Sequence, residues 1–275
     1  MFIKFRDKGL NVKSLQTYLA AASFYKGRID HDFGEATLAA VIAFQQKNGL
    51  MPDGIVGERT WATLIKSPSR SATLSPQDFS LAANLLDVDL AAVYAVTSVE
   101  SAGRGFLPSG HPVILFERHH FYKNCATEKH PLAKNYPNLY NQNSGGYVGG
   151  EGEVKRYYAA LKIDRNAANL ATSWGLFQIM GFNFKAAGFD NVGDFVSAMF
   201  VSEAEQLKAF ANFVINNKSM HKALKNHDWT AFAKAYNGQK YSQNKYDFKL
   251  KTAYDHFKTL YPSPAKSQPK DIAHD

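Results

Sequence analysis

Two copies of one short pattern, 23 residues apart, restrict how the N-terminal part of this chain can fold. Asp30-His31-Asp32-Phe33-Gly34 is followed by Thr37, and Asp53-Gly54-Ile55-Val56-Gly57 is followed by Thr60. Each copy reads as a tight turn, a glycine and a helix start, because Asp and Gly accept turn dihedrals that other residues resist. A helical pattern precedes each copy: Val12, Leu15, Gln16 and Leu19, then Leu38, Val41, Ile42 and Gln45, sit at helical spacing. The pattern predicts a small three-helix unit over residues 1–66, ending near Leu64-Ile65.

A polar Ser/Pro-rich stretch, 67–77, reads as a linker. The second domain spans 78–262, and the Pro/Lys-rich tail 263–275 lacks periodicity. Most of the second domain is helical in pattern: Leu90, Val93, Val96 and Glu100, then Phe195 to Val214, then Tyr246 to Leu260. Asp228 opens one helix and Gly238 closes it. Residues 103–153 are irregular, glycine-rich and aromatic, which predicts a short β-hairpin and loops bordering a cleft. The expected fold is mainly α, in two unequal domains.

Composition narrows the partners. With 45% hydrophobic and 20% charged residues, the chain has a core and is not a disordered polyelectrolyte. The net charge of +8 favours a polyanion: nucleic acid, an acidic membrane or an anionic envelope. The basic residues form no run like a nucleic-acid arm, so nucleic acid is not expected. Cys125 is the single cysteine, which excludes an internal disulfide. The opening Met-Phe-Ile-Lys-Phe-Arg places charges where a signal peptide needs apolar residues. No apolar run is long enough to span a bilayer. Synthesis in the cytoplasm and no stable membrane insertion are the expectations.

Glu100 is the residue out of pattern. It lies on the apolar face of its helix, four residues after Val96, and Gly103 should end that helix. Burial raises a carboxyl pKa, and the negative end of the helix dipole acts the same way. A carboxyl group that stays neutral at neutral pH can protonate a glycosidic oxygen. A structural ion pair, or a cap on another helix, is the competing explanation.

Further segments carry a resemblance. Val99-Glu100-Ser101, Ser173-Trp174-Gly175-Leu176-Phe177-Gln178-Ile179-Met180-Gly181 and Ala235-Tyr236-Asn237-Gly238 resemble three signatures of the goose-type lysozyme and lytic transglycosylase superfamily. With Gly105-Phe106-Leu107, Ile114 to Tyr122, Gly145-Gly146-Tyr147 and Ser202-Glu203, residues 80–260 resemble the N-acetylmuramidase domain of phage endolysins. Gly9 to Ile65 resembles the three-helix peptidoglycan-binding domain, except that His31 stands where that family usually has glycine. The resemblance implies a lysozyme-like fold and cleavage of the bond after N-acetylmuramic acid. It implies Glu100 as the acid, a sugar cleft bordered by Ser101, Ser173, Gln178, Tyr236, Asn237 and Tyr147, and a wall-binding role for Asp30, Phe33, Asp53, Gly54 and Trp61. It also implies bacterial peptidoglycan as partner, and a separate pore protein for release to the wall. The chain is expected to be a monomer.

Glu117 is the candidate second carboxylate, to orient water or steady an oxocarbenium ion. An ion pair with Arg104 or Arg118 is the structural alternative, and Glu151 and Glu153 are rival carboxylates. His111, His119, His120 and His130 cluster, but without His-Glu-x-x-His or paired cysteines, so no metal or cofactor is expected. A Cys125 nucleophile lacks a supporting motif, while Tyr140, Tyr147 and Tyr241 are candidates for stacking on sugar. Three functions remain open: a hydrolase, a lytic transglycosylase giving 1,6-anhydromuramic products, and a non-catalytic wall-binding protein.

Overall fold

The computed structural model describes residues 3–48, 50–65, 73–101 and 103–262. The first domain consists of α1 (Leu10–Ala21), α2 (Glu35–Lys47) and α3 (Glu58–Ile65) around Val12, Leu15, Leu19, Phe33, Val41, Phe44 and Leu64. The repeat has a polar centre in each copy. Gln16 is buried and directs its amide N–H groups at Asp30 Oδ1 (2.7 Å), Asp32 O (3.0 Å) and Thr37 Oγ1 (3.0 Å). Gln45 does the same with Asp53 Oδ1 (3.0 Å), Ile55 O (2.9 Å) and Thr60 Oγ1 (3.2 Å). Its Oε1 accepts Gly54 N–H (2.9 Å), while Gln16 Oε1 accepts Asp30 N–H and His31 N–H. Each glutamine thus ties its turn to the following helix. This is the physical reason for the matching Asp and Thr positions. His31 keeps the turn that glycine makes in the second copy, at φ 65° against 70° for Gly54.

The larger second domain follows. Ser75 caps α4 (Pro76–Leu86) in a reciprocal capping box with Asp78, so Pro76 and Gln77 of the expected linker are already helical; residues 67–72 lie outside the described residues. The tail 263–275 also lies outside them. Asp89 caps α5 (Leu90–Glu100) through Ala92 N–H. Then come α6 (Arg118–Asn124), α7 (His130–Ala133), α8 (Gly150–Ile163), α9 (Arg165–Leu170), α10 (Val192–Met199), α11 (Glu203–Asn216), α12 (Lys218–Lys225), α13 (Trp229–Asn237) and α14 (Tyr246–Leu260). The core gathers Phe116, Phe121, Trp174, Phe195, Phe210 and Phe232. Among the described residues no single helix is long and apolar enough to cross a membrane.

The irregular stretch 103–153 holds a short antiparallel turn in which Phe106 bridges Pro112, with Leu107 N–H on His111 O (2.8 Å) and Val113 N–H on Gly105 O (2.9 Å). Of the strands, only β1 (Ile114–Phe116) falls in that stretch; β2 (Thr172–Trp174) and β3 (Ile179–Met180) form a hairpin, and the antiparallel order is β1-β2-β3. Gly175, at φ 70°, turns the hairpin where a Cβ would meet the Gln206 side chain at 2.6 Å. Buried Gln206 accepts Leu176 N–H (2.7 Å) and donates to Met199 O (2.8 Å), which fastens that turn to the helical core. The two domains touch where α1 packs on α10: Ser14 Oγ donates to Ser197 O (3.3 Å), and Phe200 packs against both cores.

A left-handed backbone costs a non-glycine residue about 1–2 kcal/mol, partly offset by the entropy glycine loses on folding. His31→Gly should therefore stabilise the protein by about 0.5–1 kcal/mol. Gly54→Ala should destabilise it, since its Cβ would also strike Leu38 Cδ1 at 2.4 Å. Urea unfolding of the two variants measures both.

Candidate active site

Glu100 is the last residue of α5, where packing against α14 ends and the surface opens. It is half-buried, and burial pushes its carboxyl pKa up to about 7. Two weaker influences act the other way: Asn237 Nδ2 donates to Glu100 Oε1 at 3.0 Å, and the Lys249 charge favours the carboxylate. Asn237 is delivered by the end of α13, whose N-cap is Asp228 and whose C-cap is Gly238 at φ 70°. The expected competing ion pair is not what holds Glu100; among the described residues its recorded side-chain partner is an amide.

An open cleft of about 450 Å³ contains Glu100, Gln178, Tyr236 and Asn237 together, as the three sequence segments implied. Gln178 holds φ 49°, a left-handed backbone in a non-glycine residue. Its side chain is spent on the hairpin: Oε1 accepts from Ser173 Oγ (2.8 Å), and Nε2 donates to Gly175 O (2.8 Å) and Val113 O (3.1 Å). Gln178 thus lines the cleft and shapes its floor, while buried Ser173 supports Gln178 from outside the lining. Tyr236 donates to Phe177 O (2.6 Å), and burial holds its hydroxyl well above the usual phenol pKa. Ser101 is the C-cap of α5, donating its N–H to Thr97 O.

Glu117 and Tyr147 form a second constellation outside the residues lining that cleft. Tyr147 Oη donates to Glu117 Oε1 and Oε2 (3.0 and 2.9 Å), and His119 Nδ1 lies 3.1 Å from Oε2. Burial and the Glu117 carboxylate both raise the Tyr147 pKa. A run of rings leads back toward the cleft: His119 on His120 at 4.2 Å, then His120 on the exposed Phe182 at 5.0 Å. Phe182 lies in sequence between Met180 and Asn183, both of which line the cleft. Burial and His119 hold the His120 pKa down.

The rival carboxylates separate. Glu151 is exposed in the first turn of α8, whereas Glu153 is fully buried. Glu153 pairs with Arg156 (2.7 Å) and accepts Phe116 N–H (3.0 Å) and Val148 N–H (2.7 Å). Arg156 donates to Phe116 O (3.0 Å) and Asn138 O (2.8 Å). This buried pair ties the strand before Glu117 to the loop after Tyr147. Its signal in the sequence was only a Glu-x-x-Arg spacing, common on any helix. Tyr246 also lines the cleft, although its spacing with Leu250 read as core. In the first domain, Asp30 and Asp53 are bound by the two glutamines, Phe33 and Trp61 are buried, and Gly54 forms the turn. Tyr140 is buried against Tyr122, Tyr241's side chain lies outside the described residues, and no group of metal-ligating side chains occurs among the described residues.

Residues 89–258 match the N-acetylmuramidase family and residues 8–64 the putative peptidoglycan-binding domain. The chain belongs to the N-acetylmuramidase family, with a peptidoglycan-binding domain in front of it. The crystal structure of the Burkholderia AP3 phage endolysin is 48% identical, with a TM-score of 0.66, over 94% of this chain and 100% of that one. Two curated relatives match shorter stretches. An uncharacterized protein in the bpoA1 3' region of Kitasatospora aureofaciens is 48% identical over 68 residues, 24% of this chain and 58% of that protein. A spore cortex-lytic enzyme of Bacillus cereus is 41% identical over 59 residues, 22% of this chain and 23% of that enzyme.

Removing one member of a buried ion pair typically costs about 3–5 kcal/mol, because its partner is left charged and unpaired. Glu153→Gln should therefore lower the melting temperature sharply, and Glu151→Gln should leave it unchanged. Thermal unfolding followed by circular dichroism checks the pair.

Proposed function

We propose that this chain cuts the β-1,4 bond between N-acetylmuramic acid and N-acetylglucosamine in bacterial peptidoglycan, with Glu100 as general acid. The observation that carries this reading is a half-buried carboxyl with a pKa of about 7 on the wall of an open cleft. At neutral pH a large fraction of Glu100 holds its proton, ready for the leaving glycosidic oxygen. Asn237 fixes one carboxyl oxygen by donating to it, so the other oxygen is the one that carries the proton. As the bond breaks, positive charge grows on the muramic ring. Hydrolysis then requires water at that carbon, and Glu117 is the carboxylate to hold it. The peptidoglycan-binding domain keeps the cleft near its polymer by raising the local concentration of the catalytic domain. We place the enzyme at the wall as a monomer, after synthesis in the host cytoplasm and release through a separate pore protein.

One observation favours a second reading. Both Glu117 oxygens are engaged by Tyr147, with His119 beside one of them, and Glu117 does not line the Glu100 cleft. A transglycosylase needs no second carboxylate, because the muramic 6-hydroxyl attacks in place of water. Mass spectrometry of released muropeptides separates the two: reducing muramic ends support hydrolysis, and 1,6-anhydro ends as the main product replace it with transglycosylation.

Glu100→Gln should keep the fold and lose about 10²–10⁴ in wall-clearing rate. A folded variant that clears walls at the parent rate would remove Glu100 from the mechanism. The same substitution should stabilise the protein above pH 7. Folded Glu100 has a raised pKa, so ionisation costs stability progressively between the ordinary glutamate value of 4.5 and about 7, and the cost is complete above that. The amide never ionises, so the gain in melting temperature should be larger at pH 8 than at pH 4. The parent rate should also fall by about tenfold per unit well above pH 7, as the protonated acid is lost.

A further inference from the structure

Between the Glu100 cleft and Tyr147 the surface is built of rings. Phe182 is a large apolar side chain, yet it is 42% exposed. Met180 and Asn183, close to it on either side in the chain, line the cleft, so Phe182 stands at the rim. Its ring meets His120 with centroids 5.0 Å apart and planes inclined at 48°. His120 in turn meets His119, and the run ends at Glu117 and the exposed Tyr147. Both ends of this surface are held in place. Gly181, just before Phe182, lies so close to α9 that a Cβ there would collide with Asn169 O. At the other end Arg118 donates to Asn143 O and Ser144 O (2.8 Å each), and Glu153 accepts Val148 N–H (2.7 Å). A surface fixed before binding loses less entropy when a ligand arrives.

The chemistry of this surface suits a sugar. A pyranose has a face of C–H groups and an edge of hydroxyl groups. An aromatic ring, negative over its face, attracts the C–H groups. Burial and His119 hold the His120 pKa down, so its imidazole is neutral at neutral pH and offers one donor and one acceptor. Among the described residues neither His120 ring nitrogen has a hydrogen-bond partner, which leaves both for the sugar edge. The Glu117 carboxylate beside His119 disfavours a phosphate or a peptide carboxylate here. A glycan strand is a polymer, so it continues past the bond at Glu100 on both sides. We propose that Phe182 and His120 form a platform that extends the Glu100 cleft and carries a further sugar ring of the glycan strand. Phe182 takes the C–H face, and the His120 nitrogens take the hydroxyl or N-acetyl groups at the edge. The inference rests on the reading of the Glu100 cleft as the place where the glycan binds, and not on how the bond is cut.

Isothermal titration with an octasaccharide of alternating N-acetylglucosamine and N-acetylmuramic acid tests it, in the full-length Glu100→Gln protein so that the ligand stays whole. Adding Phe182→Ala should weaken binding about threefold to tenfold, as loss of one stacked ring predicts. Phe182→Tyr keeps the ring and should keep the affinity. The His120 ring resonances, assigned by their loss in His120→Gln, should move as the octasaccharide saturates the protein. Absence of saturable binding overturns the proposal, as does unchanged affinity in Phe182→Ala. His120 resonances that stay in place at saturation also overturn it, and this readout decides even where Phe182→Ala lowers the melting temperature. Cleavage of the same octasaccharide by the protein with Glu100 intact reports the catalytic reading separately. Binding at the platform without cleavage would sink that reading and leave this one standing.

Discussion

The proposed chemistry depends on how far one carboxyl group is withdrawn from water. Glu100 ends α5 against α14, with Asn237 from α13 at hydrogen-bonding distance. Deeper burial would hold the proton too tightly to give it up, and full exposure would leave a carboxylate with none to give. The helix supplies this intermediate depth by stopping at the residue in question. The apolar face that precedes Glu100, Val93 and Val96, anchors the helix in the core. Asn237 favours the charged form but does not reverse the effect of burial.

The rest of the second domain positions that carboxyl and builds a surface in front of it. The hairpin β2–β3 provides the floor, and its turn is set from below by Gln206 and from within by Gln178. Amide side chains recur as organisers in both domains, since Gln16 and Gln45 do the same for the repeated turns. A buried glutamine can satisfy several backbone and side-chain groups at once without adding a charge to be desolvated. Glu153 and Arg156 use charge for a similar purpose near Glu117, at the cost of a strict mutual dependence.

The repeat, the helix order and the grouping of Glu100 with Gln178, Tyr236 and Asn237 were legible in the sequence. The repeat and the helices rest on local spacing, and Glu100 on a side chain at odds with its surroundings, whereas the grouping of the four residues rests on the resemblance to the lysozyme superfamily. The pairing of β1 with β2 was not legible, because it joins residues about 60 apart and no local pattern encodes it. Tyr246 was read as core because an aromatic at helical spacing looks the same whether it faces a core or a cleft. The engagement of Glu117 by Tyr147 joins residues 30 apart in the chain, so local spacing could not reveal it. Trp61 was named only as a residue of the wall-binding domain, and its ring is buried in that domain's core.

The central claim is that Glu100 keeps its proton near neutral pH because the fold half-buries it. Its ionisation can be followed directly by the carboxyl carbon chemical shift in protein labelled at glutamate, with the Glu100→Gln spectrum assigning the resonance. The account predicts a titration midpoint near 7. A midpoint near 4.5, the ordinary value for glutamate, would contradict it and leave the cleft without its acid.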